Sequence, residues 1–184
     1  MSHIHSKTGL LRKELIIEKS GLKSGQQIAD LGCGRGGHFS FQLAKLVGVR
    51  GMVYAVDVIK HYLDDLELEL KRQEIKNIQT IWTDLELLGA AAIDNSSVDI
   101  VFVINTLHQA KKPIDLLKEA TRISKRGARL IVVDWSRSAS PLGPDENIRI
   151  DKNKLVDAGK KIGLYLDSEF SAGPYHFGLV LTKM

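Results

Sequence analysis

Four glycines fall within six residues, Gly32, Gly34, Gly36 and Gly37, and an acid, Asp30, stands two residues ahead of the first. Glycines crowded in this way remove Cβ atoms where backbone must approach a ligand. Two templates fit the spacing. Gly32-x-Gly34-x-x-Gly37 is the dinucleotide fingerprint, in which loop and helix N-terminus face a pyrophosphate. Asp30-x-Gly32-x-Gly34-x-Gly36 is an acid-led pattern. Electrostatics separates the two. A carboxylate at the strand end would repel a pyrophosphate, but it suits a ligand with positive charge and no phosphate.

More acids follow at the ends of apolar runs. Asp57 lies 21 residues past Gly36, where a carboxylate can accept hydrogen bonds from both ribose hydroxyls of a nucleoside. Capping of the next helix is its other available role. Val58 can pack on the base. Asp84 can accept from an exocyclic amine, or serve an ordinary turn, and Leu85 adds an apolar wall. Asn105 ends the fourth run and suits the polar tail of the same ligand. For proton transfer the candidates are His108 and His176, since histidine titrates near neutrality. Tyr175 is an orienting group, and Asp134 is placed to orient His108. No metal is expected. Asp134 and Asn105 offer too few oxygens for magnesium, and one cysteine, Cys33, excludes a multi-cysteine site. His3 and His5 read as neither ligand nor tag.

These groups need a scaffold that brings strand ends together. Apolar runs at 28–31, 53–57, 78–82, 98–104 and 129–134 alternate with helical patterns, among them 113–124 and 151–162. Phe39, Leu43, Leu46 and Val47 mark one helix face, and Leu63, Leu66 and Leu70 another. This alternation predicts a parallel α/β sheet with right-handed crossovers. The run 98–104 is the most apolar and so the most central. Two last runs, 165–170 and 177–182, are separated by only "SAGPYH", too short for a parallel crossover, so the final strand returns antiparallel. Its start then shares the ligand edge, which places Tyr175 and His176 near the site.

One domain, 1–184, is expected from 184 residues and the absence of a linker. An N-terminal helical segment, 1–22, with a helix near 7–19, would pack on or cover the site through Leu11, Leu15 and Ile16, or pair two copies into a homo-oligomer. The Ser-, Pro- and Gly-rich stretch 136–149 is a lid candidate. With 43% hydrophobic and 26% charged residues, a globular chain is expected. No run reaches the roughly 20 apolar residues of a membrane helix, and no secretory leader is visible, which points to the cytoplasm. Net charge is +4, which permits RNA, yet no basic run is long enough to read as a nucleic-acid tail.

On "IADLGCGRGG", "VYAVDV", the stretch "SVDIVFVINTLHQAKKPIDLLKEATRISKRGARLIVVDW" and "GPYHFGLVLTK", the chain resembles the class I S-adenosylmethionine-dependent methyltransferases. It is most similar to the small bacterial type related to the ubiquinone/menaquinone C-methyltransferases. The resemblance implies a three-layer Rossmann-like sandwich with a seven-stranded sheet in order 3-2-1-4-5-7-6, strand 7 antiparallel. It implies S-adenosyl-L-methionine as methyl donor, with S-adenosyl-L-homocysteine as product and methyl transfer by in-line displacement. It assigns Asp30, Gly32, Gly34, Gly36, Asp57, Val58, Asp84, Leu85 and Asn105 to the cofactor. A sulfonium and an ammonium group meet the charge demand of Asp30. The favoured acceptor is a small molecule; an RNA methyltransferase and a non-catalytic cofactor-binding module are the alternatives. Arg126-Gly127-Ala128 replaces the family's Pro-Gly-Gly before strand 5, with a local effect expected. The chain is shorter than the quinone enzymes, which argues against a quinone precursor, and a single cysteine argues against arsenite.

Overall fold

The computed structural model describes residues 10–137 and 141–184. Seven strands form one sheet: β1 (Gln27–Leu31), β2 (Met52–Asp57), β3 (Ile78–Trp82), β4 (Val98–Ile104), β5 (Ser124–Trp135), β6 (Leu164–Gly173) and β7 (His176–Lys183). The order is 3-2-1-4-5-7-6, as expected. Strands β1 to β5 pair in parallel, and β7 pairs antiparallel with β5 and β6. The apolar β4 is indeed central, flanked by β1 and β5.

Helices cover both faces. α1 (Lys13–Ser20), α2 (His38–Val47) and α3 (Lys60–Arg72) bury Ile16, Leu43, Val47 and Leu66 against Ile28, Val53 and Phe102. α4 (Pro113–Ile123) and α5 (Lys152–Lys160) bury Leu117, Ile123 and Leu155 against Val101, Leu130 and Val132 on the other face. Pro113 opens α4 at a first-turn position, where its missing N–H costs nothing. Among the described residues no helix is long and apolar enough to cross a membrane.

Several local expectations need correction. The buried face of α2 is Ser40, Leu43, Ala44 and Val47, and Leu46 is exposed. In α1 the buried residues are Ile16 and Ser20, with Leu11 and Ile17 partly buried beside Ile16. That helix starts at Lys13 and packs on β5, β6 and β7, while the Arg12 N–H donates to the Ala172 carbonyl at 2.8 Å. His3, His5 and the first part of the predicted 7–19 helix lie outside the described residues, as do residues 138–140 of the lid candidate. The described ends of that loop are held by Arg149, which donates to the Ser136, Leu142 and Pro144 carbonyls. β5 begins earlier than expected: Val98 pairs with Ser124 and Ile100 with Arg129, so the Arg126-Gly127-Ala128 segment is a bulge within the strand. Last, "SAGPYH" is not a six-residue loop. Gly173 pairs with His176, leaving a two-residue Pro174-Tyr175 turn.

The loop after β3 is pinned by a buried acid. Glu119 on α4 is fully buried and accepts from the Gly89 N–H at 2.7 Å, the Ala91 N–H at 3.0 Å, and Arg122 through two nitrogens. Burial alone would raise its pKa, but Arg122 and the two amides outweigh it and hold the carboxyl below its usual range. Removing one partner of such a pair leaves a buried charge uncompensated. Glu119→Ala should lower the unfolding free energy by about 3–5 kcal/mol, read from urea denaturation followed by tryptophan fluorescence.

Candidate active site

The order 3-2-1-4-5 makes the gap between β1 and β4 a topological switch point, where open α/β sheets bind ligands. A cleft of about 280 Å³ opens at this edge, and Gly32, Gly34, Asp57, Asp84, Leu85 and Thr106 are in its wall. Four successive strand ends therefore contribute to it. Val58 is on the wall as well and largely exposed.

The two cleft glycines serve different ends. A Cβ on Gly32 would stand 2.4 Å from the Thr106 hydroxyl oxygen, so Gly32 allows the loop to close on the end of β4. The Thr106 hydroxyl lies 3.1 Å from the Leu31 carbonyl it donates to. Gly34 has φ 68° and ψ −178°, a conformation open essentially to glycine alone. Nothing stands within 4 Å of its missing Cβ, so its backbone is bare toward the cleft. Its N–H donates to Asp57 Oδ2 at 2.9 Å. Asp57 Oδ1 accepts from the Ile59 N–H at 2.9 Å. α3 has no side-chain cap, and its N-cap position is Ile59, so Asp57 is not the helix cap. Each Asp57 oxygen keeps a second lone pair for a ligand.

Charge in the cleft is one-sided. Asp57, Asp84 and Glu86 line it, and among the described residues no lysine, arginine or histidine does. Asp84 also accepts from the Glu86 N–H at 2.9 Å, so the turn role and the cleft position coexist. Glu86 accepts from the backbone N–H groups of Lys111 at 3.0 Å and Lys112 at 2.6 Å. Glu86 and Thr106 were not singled out from sequence. Glu86 reads as one more surface acid, because its partners lie 25 and 26 residues away.

Asp30 and Gly36 stand behind this wall rather than on it. Asp30 is buried and accepts from the Ser40 hydroxyl at 2.5 Å. Burial pushes its pKa up to about 6; the Ser40 bond opposes the rise and the Asp57 charge adds to it. Asn105 sits at φ 55°, an uncommon backbone for a residue with a side chain. Its Oδ1 is buried without a hydrogen-bond partner among the described residues.

A second cluster occupies the ends of β5 and β7. His108 Nδ1 lies 2.8 Å from Asp134 Oδ1, and the His108 N–H donates to Asp134 Oδ2 at 3.2 Å. His176 pairs with Trp135 across the strands, and their rings are 4.1 Å apart. Both ring nitrogens of His176 are buried without a partner among the described residues. Burial lowers its pKa, the Asp134 charge opposes this and His108 adds to it. Tyr175 is at the tip of the β6–β7 turn, its carbonyl accepting from the Ser136 N–H at 2.8 Å. The start of β7 thus shares the edge, as expected, but His176 lines a separate cavity of about 330 Å³ with Ser136, Lys152 and Phe170. Among the described residues no three His, Cys, Asp or Glu side chains converge as a metal would require.

Comparison with known proteins follows this geometry. A family model described as a methyltransferase domain matches residues 22–162. The 2-phytyl-1,4-naphtoquinone methyltransferase of Nostoc punctiforme is 29% identical over 129 residues, covering 70% of this chain and 55% of its own. The demethylmenaquinone methyltransferase of Lactococcus lactis is 28% identical over 144 residues, covering 78% and 56%. The chain thus spans about half the length of these curated relatives. A SAM-dependent methyltransferase from Aquifex aeolicus shares the fold with a TM-score of 0.86, at 24% identity over 95% of this chain and 91% of that one.

The raised pKa of Asp30 has a signed consequence. The folded state holds this proton more tightly than the unfolded chain does. The group therefore favours folding most below pH 3.8, and that contribution declines as pH rises toward about 6. The difference corresponds to about 3 kcal/mol. Asp30→Asn should match the unaltered chain in unfolding free energy near pH 3.5 and exceed it by up to that amount at pH 7.5. Urea titrations at the two pH values measure the gap.

Proposed function

The chain belongs to the methyltransferase-domain family, and from that premise we propose that it transfers the methyl group of S-adenosylmethionine to a small-molecule acceptor. One observation carries the proposal: a cleft at the switch point lined, among the described residues, by three carboxylates and no basic side chain. Such a wall disfavours a pyrophosphate and suits a ligand bearing a sulfonium and an ammonium group.

The residues present fit this donor. Asp57 accepts from the ribose hydroxyls, Asp84 from the adenine amine, and Val58 and Leu85 flank the base. The bare backbone of Gly34 lets the ligand approach, and Gly32 and Gly36 shape the loop behind it. The unpartnered Oδ1 of Asn105 accepts from the ammonium group. Asp30 acts through its buried charge beneath the loop. When bound, the donor supplies an electrophilic methyl carbon, and the displacement is in line. The chain aligns the acceptor and excludes water. The acceptor approaches over the ends of β4, β5 and β7, in reach of His108, with Tyr175 and His176 on the far side. Relatives named for a naphthoquinone and for demethylmenaquinone support a small-molecule acceptor over RNA.

Calorimetry should show S-adenosylmethionine binding, weakened about 10–100-fold in Asp57→Ala, the loss of a charge-assisted hydrogen bond. With methyl-labelled donor and a fractionated cell extract, label should enter the small-molecule fraction and be lost with the variant. Label in RNA, or binding of a nicotinamide dinucleotide in place of the donor, would overturn the assignment.

A further inference from the structure

We propose that Asp134 is a positioning residue that fixes His108 with its proton on Nδ1, leaving Nε2 as a base, and that the methyl acceptor is a neutral acid that gives up a proton as it is methylated. The acceptor class is a hydroxyl, an N–H or an activated C–H. This rests on the methyl-transfer assignment above.

The geometry around Asp134 is specific. Its carboxylate is fully buried and takes three contacts: the Trp135 N–H at 2.7 Å, the His108 N–H at 3.2 Å and the His108 ring nitrogen at 2.8 Å. A carboxylate only accepts. With two backbone donors already pointing at it, the third contact requires a hydrogen on Nδ1. The other ring nitrogen, Nε2, then carries a lone pair, and no hydrogen bond engages it among the described residues. The ring is only 9% exposed, so it is held rather than free. His108 lies between Thr106 and Gln109, which both line the cleft, in the short turn Leu107–Gln109. Anchoring that turn to Asp134 needs only the His108 backbone N–H. The ring contact is extra to the anchoring and sets the tautomer. Two titratable groups bear on the ring: Asp134 bonds it from β5, and His176 couples to it from β7. Burial disfavours a charge on His176, and the imidazolium formed at His108 meets the Asp134 carboxylate at hydrogen-bond distance.

The proton balance follows. The acceptor X–H gives its proton to Nε2 while its electron pair forms the bond to the methyl carbon. The carbon–sulfur pair leaves with sulfur, giving neutral S-adenosylhomocysteine. Asp134 stabilises the imidazolium, which returns its proton to water. Acceptors with no proton to lose, such as tertiary amines and thioethers, have no use for this pair.

The first test needs no acceptor. Imidazole nitrogen-15 spectra of the whole chain at pH 8, with His108 assigned by its loss in His108→Gln, should show Nδ1–H and a bare Nε2. Asp134→Asn should move the population toward Nε2–H. A wild-type ring already protonated on Nε2 overturns the proposal. The second test uses S-adenosylmethionine and the acceptor recovered by labelling. Both variants should bind the donor within about twofold of wild type, while turnover falls by about 10²–10⁴-fold in His108→Gln, with recovery as pH rises and the acceptor ionises unaided. Unchanged turnover in His108→Gln, or an acceptor lacking an ionisable proton, overturns the base but leaves methyl transfer standing. A wild-type protein that neither binds the donor nor transfers label removes both.

Discussion

The hydrogen bond from the Gly34 amide to the Asp57 carboxylate, 2.9 Å long, decides what this site can hold. In a dinucleotide fold the amides of the glycine loop are spent on a pyrophosphate. Here one of them is spent on the protein's own anion. The bond ties the loop after β1 to the end of β2 and turns a ready-made anion site into an acid-lined one. Everything on that edge is consistent with it. Glu86 and Asp84 add negative charge, Asp30 adds more from below, and among the described residues the lining contains no basic side chain to neutralise them.

Two buried acids show how differently this chain treats charge. Glu119 is surrounded by its counter-ion Arg122 and by two amides, so its charge is matched within the fold. It holds the segment after β3, which carries Asp84 and Leu85. Asp30 has a hydroxyl from Ser40 as its hydrogen-bond partner, and the neighbouring Asp57 makes matters worse. Among the described residues no counter-ion bonds it. A residue that weakens the ligand-free fold at neutral pH is an expected cost of a binding site, because strain and unmatched charge accumulate where function requires them.

Much of this was legible in the sequence because parallel α/β sheets put strand ends on one edge. Finding the runs that end at Leu31, Asp57, Trp82 and Ile104 was enough to bring Gly32, Gly34, Asp57, Asp84 and Leu85 together. Strand order came from a resemblance, not from periodicity, while the antiparallel last strand followed from the short connection before it. Misses had physical causes. Glu86 and Thr106 gain their roles from partners distant in sequence, which no local pattern records. Leu46 fits a helical stripe but lies at the stripe's edge, and the sheet accepted Ser40 and Ala44 instead, the small residues that allow close approach. The β5 bulge and the two-residue turn at Pro174-Tyr175 depend on register, which is set by pairing partners. Asp30 could be read as acidic and near the ligand, but its position behind the loop depends on Ser40, ten residues on in α2.

The site divides at the end of β4. Upstream of Asn105 the strand ends present acids and open backbone, suited to a cation whose charge must be matched. Downstream, the turn after β4 presents His108, and β5 and β7 present Asp134, Trp135 and His176, a group with one carboxylate, one buried imidazole and one histidine whose ring is held in place. The two halves differ in how their side chains meet solvent. The acid-lined cleft presents its carboxylates on an open wall, whereas the two imidazoles are mostly buried side chains held by their neighbours, and an imidazole acts as a base only if its orientation is already fixed. Asn105 joins them, with a left-handed backbone and a buried oxygen that has no hydrogen-bond partner among the described residues. In sequence it leads directly into the Leu107–Gln109 turn that carries His108.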